Sequence, residues 1–83
     1  MAMVGEQLRT WRERRRVSQL DLSLQAGISA RHLSFVETGR SKPSSGLILR
    51  LSEELDVPLR ERNALLLAGG FAPAYPEHGL DAP

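Results

Sequence analysis

Arg31 carries a planar fork of five N–H donors. That fork fits the O6 and N7 acceptors of a guanine and separates it from other bases by roughly 1–3 kcal/mol. The same fork also suits a phosphate oxygen pair, which adds affinity without specificity. Ser29 and Ala30 lie just before it, a hydroxyl able to reach a base edge and a methyl able to meet the methyl of thymine. Ser34 and Phe35 follow one helical turn further along the same exposed face. A phenylalanine cannot hydrogen-bond a base, so Phe35 offers only apolar contact with thymine methyls or packing within the protein. His32 suits a phosphate contact or plain exposure to solvent. No second ligand accompanies it, and no metal is expected.

These side chains act together only if a short helix presents them, and the flanking residues supply one. Ser18 precedes Gln19-Leu20-Asp21-Leu22-Ser23-Leu24-Gln25-Ala26 and can accept a hydrogen bond from the first free amides of that helix. Leu22 and Ala26, four apart, mark its buried stripe. Gly27 can adopt the left-handed conformation that ends a helix without a Cβ penalty. Ser29 then caps a helix from Ala30 to about Thr38, with Leu33 and Val36 inward. Two short helices joined at a glycine turn make a helix-turn-helix, whose second helix enters the major groove of duplex DNA. Gln19, at the amino end of the first of the pair, can grip a phosphate together with nearby backbone amides.

Three more helices complete the expected framework. The first runs from about Val4 to Arg15, with Val4, Leu8 and Trp11 on its buried face, and Arg14 to Arg16 sit near its negative end. Pro43 and Ser44 set up a fourth helix with Ile48, Leu51 and Leu55 inward. Asp56-Val57-Pro58 breaks it, because a residue before proline disfavours the helical region. A fifth helix follows from about Leu59 to Ala68 and stops at Gly69-Gly70. The expected boundaries are a domain over residues 1–70 and a tail or interdomain linker over 71–83, where three prolines and small residues collect. No internal repeat and no strand-period pattern is present.

Composition limits the alternatives. The 83 residues support one small core. There are no cysteines, so disulfides and thiolate metal sites are excluded. No apolar run reaches the eighteen or so residues of a membrane span, and there is no signal-peptide pattern, which implies a soluble cytoplasmic protein. The net charge is +1, but residues 1–50 carry nine Lys/Arg against four Asp/Glu (+5) and residues 51–83 carry two against six (−4). A basic half beside an acidic half points to a polyanion partner on one side. An enzyme is hard to build here. Of two histidines one, His78, lies in the tail, and Glu53-Glu54-Asp56 reads as a solvated face. No cofactor is expected.

Gln19, Ala26-Gly27-Ile28-Ser29 and Val36-Glu37-Thr38-Gly39-Arg40-Ser41-Lys42-Pro43-Ser44 together resemble the lambda-repressor-like, or XRE/Cro-C1, helix-turn-helix domains, over residues 4 to about 57. The resemblance implies a compact all-α domain of five helices. It also implies a transcriptional regulator, more often a repressor, binding double-stranded DNA as a homodimer on a two-fold operator. It gives Gln19 a phosphate, and assigns backbone contacts to Thr38, Arg40, Lys42 and Ser44 around the start of the fourth helix. It pairs Arg12 of the first helix with Glu37 near the end of the recognition helix. Residues 31–36 and the segment from Val57 through Asn63 to Phe71-Ala72-Pro73 are similar to the N-terminal domain of MmyB-like regulators, in which a ligand-binding domain follows. In many members the position of Arg16 holds glycine, so the turn there is expected to tighten or the first helix to lengthen. Leu20 and Leu24 stand where polar residues are usual. They are expected to pack on Trp11 or the fifth helix, with an exposed strip for another domain or subunit as the alternative. Three leucines in a row, Leu65 to Leu67, cannot all face one core, which leaves part of the fifth helix for a partner. Two other readings use the same fold: the DNA-binding antitoxin of a toxin–antitoxin pair, and a protein-interaction module without DNA reading.

Overall fold

The computed structural model describes residues 3–75, and the chain order is five α-helices: α1 (Val4–Arg14), α2 (Gln19–Ala26), α3 (Ala30–Glu37), α4 (Ser45–Glu54) and α5 (Leu59–Ala68). Three of the five starts are closed by a serine. The hydroxyl oxygens of Ser18, Ser29 and Ser44 accept from the amides of Asp21, His32 and Leu47 at 3.0, 3.0 and 3.1 Å. Each bond satisfies one of the amides a helix start leaves without an internal partner. Gly27 ends α2 with φ 74°, and Gly39 turns the chain after α3 with φ 83°.

The core draws on every helix. Val4 and Leu8 of α1, Leu22 and Ala26 of α2, Leu33 and Val36 of α3, Ile48 and Leu51 of α4, and Leu65 and Leu66 of α5 are buried, and Leu55 and Val57 fill the turn before α5. Trp11 is half-buried against this cluster. α1 approaches α3 so closely that a Cβ on Gly5 would run into the carbonyl oxygen of Val36. The buried polar side chains are all satisfied among the described residues. Ser23 and Ser52 donate to the carbonyls of Leu20 and Leu49, and Asn63 is discussed below.

Helix-end carbonyls, which lack partners of their own, are met by arginines from distant parts of the chain. Arg15 donates to the carbonyl oxygens of Leu55 and Asp56, both at 2.9 Å, and so ties the end of α1 to the end of α4. Arg50 reaches the carbonyl of Ala26 at 3.4 Å; closer in sequence, Arg62 of α5 reaches back five residues to the carbonyl of Val57 in the turn before its own helix, at 2.7 Å. α1 does not lengthen at Arg16. Instead Arg16 itself takes the left-handed conformation, φ 59°, where glycine is the unstrained residue.

One expectation about leucines changes, and the other, that Leu65 to Leu67 cannot all face the core, holds. Leu20 and Leu24 do not pack on Trp11 or α5 but are 60% and 70% exposed, because Leu22 and Ala26 already turn the inner face of α2 to the core. In the leucine run, Leu65 and Leu66 are buried and Leu67 is 57% exposed. The chain also stays on the domain beyond residue 70. Phe71 packs against the core, and buried Asn63 holds the backbone of the next turn. Its side-chain oxygen accepts from the amides of Ala74 and Tyr75, both at 3.0 Å, and its amide donates to the carbonyl of Tyr75. The rest of the expected linker, residues 76–83 with His78, lies outside the described residues, as do residues 1 and 2 of the expected domain.

Candidate nucleic-acid interface

The orientation of α3 is fixed at its carboxyl end by a charged cluster. The Glu37 side chain is 1% exposed and accepts three hydrogen bonds: from Arg12 Nε at 2.7 Å, Arg12 Nη2 at 3.1 Å and Gln19 Nε2 at 2.8 Å. Arg12 also donates to the carbonyl of Val17 at 2.9 Å. One carboxylate therefore joins α1, α2 and α3. The hydrogen bond to Glu37, with the carboxylate's charge in support, raises the Arg12 guanidinium above its already high ordinary value despite burial.

Gln19 opens α2, and its amide nitrogen bears two N–H donors. One goes to Glu37, which leaves the other for an incoming acceptor. Ser29 and Ser44 accept their capping bonds and so keep their hydroxyl protons. Thr38 differs, because its hydroxyl donates back to the carbonyl of Ser34 at 2.9 Å. A phosphate contact from Thr38 requires that bond to be exchanged.

On the outer face of α3, Arg31 and His32 are exposed in the first turn beside half-buried Ala30. Ser34 and Phe35 follow, both half-buried. Phe35 is not part of the core cluster. Its ring lies under two guanidinium groups, those of Arg31 and Arg40, at 5.4 and 5.5 Å from the ring centroid. The loop after α3 folds back on the same residue, since the amides of Arg40 and Ser41 both donate to the Phe35 carbonyl, at 2.8 and 3.1 Å. Arg40 and Lys42 are exposed in that loop, and Ser44 caps α4 immediately after it.

Most of the remaining basic residues of the amino-terminal half serve other ends. Arg9 pairs with Glu13 at 3.1 Å, and Arg12, Arg15 and Arg50 make the scaffold bonds to Glu37 and to helix-end carbonyls; Arg14, exposed over the Trp11 ring at 4.5 Å, keeps its donors as Arg31 and Arg40 do over Phe35. Among the described residues, Arg16, Arg31, Arg40 and Lys42 have no carboxylate within ion-pair distance. Sequence reasoning singled out Arg31, Arg40 and Lys42 but did not foresee that most of the other arginines are engaged within the fold. For Arg12, Arg15 and Arg50 that engagement spans 24 to 41 residues and leaves no local pattern, whereas Arg9 and Glu13 have ordinary i,i+4 spacing.

A cleft of about 200 Å³ between the start of α1 and the ends of α3 and α5 has Lys42 as the only titratable side chain in its wall. Among the described residues no group of His, Asp or Glu is placed to hold a metal, and no helix is long and apolar enough to cross a membrane.

A family model described as helix-turn-helix (HTH_3) matches residues 8–62, the span from α1 into α5. The chain belongs to the helix-turn-helix family. It carries the helix-turn-helix domain of HTH-type transcriptional regulators. It is 35% identical over 83 residues to an uncharacterized HTH-type transcriptional regulator, RghRB, of Bacillus subtilis, which covers 99% of this chain and 58% of the relative. It is 39% identical over 59 residues to the HTH-type transcriptional repressor RghR of the same organism, covering 70% of this chain and 44% of that one. A third similar protein, the uncharacterized HTH-type regulator y4dL of Sinorhizobium fredii, is 32% identical over 56 residues, 68% of this chain and 29% of its own length. The chain thus spans less than two thirds of each of these relatives. No solved structure matches it.

Proposed function

We propose that this domain reads duplex DNA through the outer face of α3 and represses transcription from a two-fold operator, bound as a homodimer. The observation that carries this reading is the segregation of its cations. Among the described residues, Arg31, Arg40 and Lys42 carry neither an ion pair nor a scaffold hydrogen bond and lie together on α3 and the loop after it, apart from Arg14 and Arg16 at the end of α1, while Arg9, Arg12, Arg15 and Arg50 are bonded within the fold. In the reading, Ser29, Ala30, Arg31, Ser34 and Phe35 face base edges in the major groove. Gln19, His32, Thr38, Arg40, Lys42 and Ser44 face the phosphates, with the starts of α2 and α4 adding backbone amides.

Repression is favoured over activation because a bound dimer blocks polymerase by occupancy alone, and one similar protein carries the name of a repressor. The site of action is the cytoplasm. The greater length of the relatives fits a domain that works beside a second, ligand-binding one, as in the MmyB-like regulators that the segment from Val57 resembles. The exposed Leu20 and Leu24 favour a second reading, a protein-interaction module on the same fold. The antitoxin role shares the DNA chemistry and differs only in the protein partner.

The test is selection of bound duplexes from a random library. A palindrome enriched with half-sites about one helical turn apart is the expected result. Unenriched DNA overturns sequence reading and leaves only electrostatic binding. No recovery even at low salt moves the function to the protein-interaction module, for which Gln19→Ala would leave DNA recovery unchanged.

A further inference from the structure

Phe35 is the one large apolar side chain on the proposed reading face, and both of its cationic neighbours are residues that face DNA in that reading. Arg31 stands four residues before it on the same side of α3. Arg40 is brought to it by the loop, whose amides at Arg40 and Ser41 are bonded to the Phe35 carbonyl. The guanidinium carbons lie 5.4 and 5.5 Å from the ring centroid, within the distance at which the negative ring face attracts a cation. Neither guanidinium has a carboxylate in reach among the described residues, so the ring is the group that holds each of them.

We propose that Phe35 is the positioning residue of the interface: its ring orders a base-reading fork, Arg31, and a phosphate-reading fork, Arg40, before DNA arrives. The inference rests on the DNA-reading role of α3 proposed above and goes beyond apolar contact with thymine. Attraction to a ring face uses none of the five N–H donors, so both forks keep their full donor set for guanine and phosphate. An arginine in free solution loses much of its rotamer freedom when it docks, and a stacked one has less to lose. Two like charges over one ring also repel, and the approach of phosphate oxygens relieves that repulsion. The arrangement therefore favours the bound state twice, through prior ordering and through charge.

The experiment uses the 83-residue chain, a duplex recovered by selection, and two variants. Phe35→Leu keeps apolar bulk without a π face, and Phe35→Tyr keeps the ring. Phe35→Leu is expected to weaken binding about fivefold. It should also shrink the penalty for replacing the guanine read by Arg31 with 7-deazaguanine, which lacks the N7 acceptor. The salt dependence should fall by up to about one phosphate contact. Phe35→Tyr should restore all three. In the free wild-type protein the Arg31 and Arg40 side-chain resonances should be shifted by the ring current, and in Phe35→Leu they should not be. Wild-type 7-deazaguanine and salt responses in Phe35→Leu, or unshifted arginine signals in the wild type, overturn the inference and leave DNA reading intact. A wild type that enriches no sequence overturns the reading of the site and the inference with it. If Phe35→Leu melts early, the wild-type ring-current shifts and the Phe35→Tyr binding data decide.

Discussion

Arg12→Met removes the cation from the cluster that fixes α3. The Glu37 side chain, 1% exposed, is then left with the Gln19 amide as its one remaining donor of the three. Breaking a buried pair from one side costs about 3–5 kcal/mol, because the surviving charge stays desolvated. Arg12 itself is 12% exposed, so some water reaches the vacated side and the lower end, about 3 kcal/mol, is expected. For a domain of this size each kcal/mol moves the melting midpoint by about 4–8 °C, which gives a fall of about 12–24 °C. Removing both charges in Arg12→Met/Glu37→Met should return the protein to within about 1–2 kcal/mol of wild type, since no buried charge is then left alone. The arginine side adds no pH dependence. A cation whose folded value is raised contributes stability below its unfolded value and loses it only as pH rises through the folded one. Both values lie above any working pH, so the cost of Arg12→Met should not change on that account between pH 6 and pH 9, to within about 0.5 kcal/mol. Circular-dichroism melts and denaturant titrations of the two single variants and the double variant measure all of this. A loss under about 1 kcal/mol in Arg12→Met, or a double variant whose loss equals the sum of the singles, would refute the reasoning, because additivity means the pair is not coupled.

Arg16→Gly should raise stability by about 0.5–1 kcal/mol, since φ 59° strains any residue with a Cβ, while Arg16→Ala should gain nothing; thermal melts separate them. Gly5→Ala should cost about 1–3 kcal/mol, because the added methyl meets the Val36 backbone rather than a side chain that can move. Asn63→Ala removes three bonds to the backbone of Ala74 and Tyr75 and should cost about 1–3 kcal/mol. Its signature is faster hydrogen exchange at those two amides than at the buried amides of α3. For DNA, Arg31→Ala should relax preference at a single base pair by roughly 1–3 kcal/mol. Lys42→Ala should instead weaken all sequences alike and lower the salt slope by about 0.9. Equal losses on every sequence for both variants would make Arg31 a backbone contact.

The elements were legible because short-range rules decide them. Each of Ser18, Ser29 and Ser44 precedes the helix it caps, Gly27 is left-handed where a helix must stop, and α5 runs from Leu59 to Ala68 as the breakers on either side imply. The ends of α1 and α3 fall one residue earlier than expected, the ordinary scatter of frayed termini. What pattern could not show is whether a second apolar face has a cover. On α2 the pairs Leu20/Leu24 and Leu22/Ala26 have the same spacing; the second was read correctly as the buried stripe, and only the tertiary arrangement decides that the first is left uncovered. Asn63 was invisible for a similar reason. A polar residue beside Leu65 and Leu66 looks like a helix surface until the chain returns 11 and 12 residues later to bond it. The Arg12–Glu37 pairing was readable only through resemblance, and the third partner, Gln19, not at all.

The charge asymmetry of the sequence pointed in a useful direction but overstated the amount. Nine basic residues in the first fifty would release counterions from as many phosphates if all faced DNA. The fold forbids that. A guanidinium that closes a helix end, as Arg15 does for α4, cannot leave without exposing carbonyls that have no other partner, and Arg12 cannot leave without stranding Glu37. Of the arginine run from 14 to 16, Arg15 is committed as a cap, while Arg14 over Trp11 and Arg16 at its strained turn remain exposed cations. The cations left for a polyanion are few, and three of them lie on α3 and the loop that α3 carries with it through the Phe35 carbonyl. With so few uncommitted cations, one copy is expected to gain little from counterion release on a polyanion. The proposed homodimer would answer this, since two such faces on one duplex multiply a modest affinity.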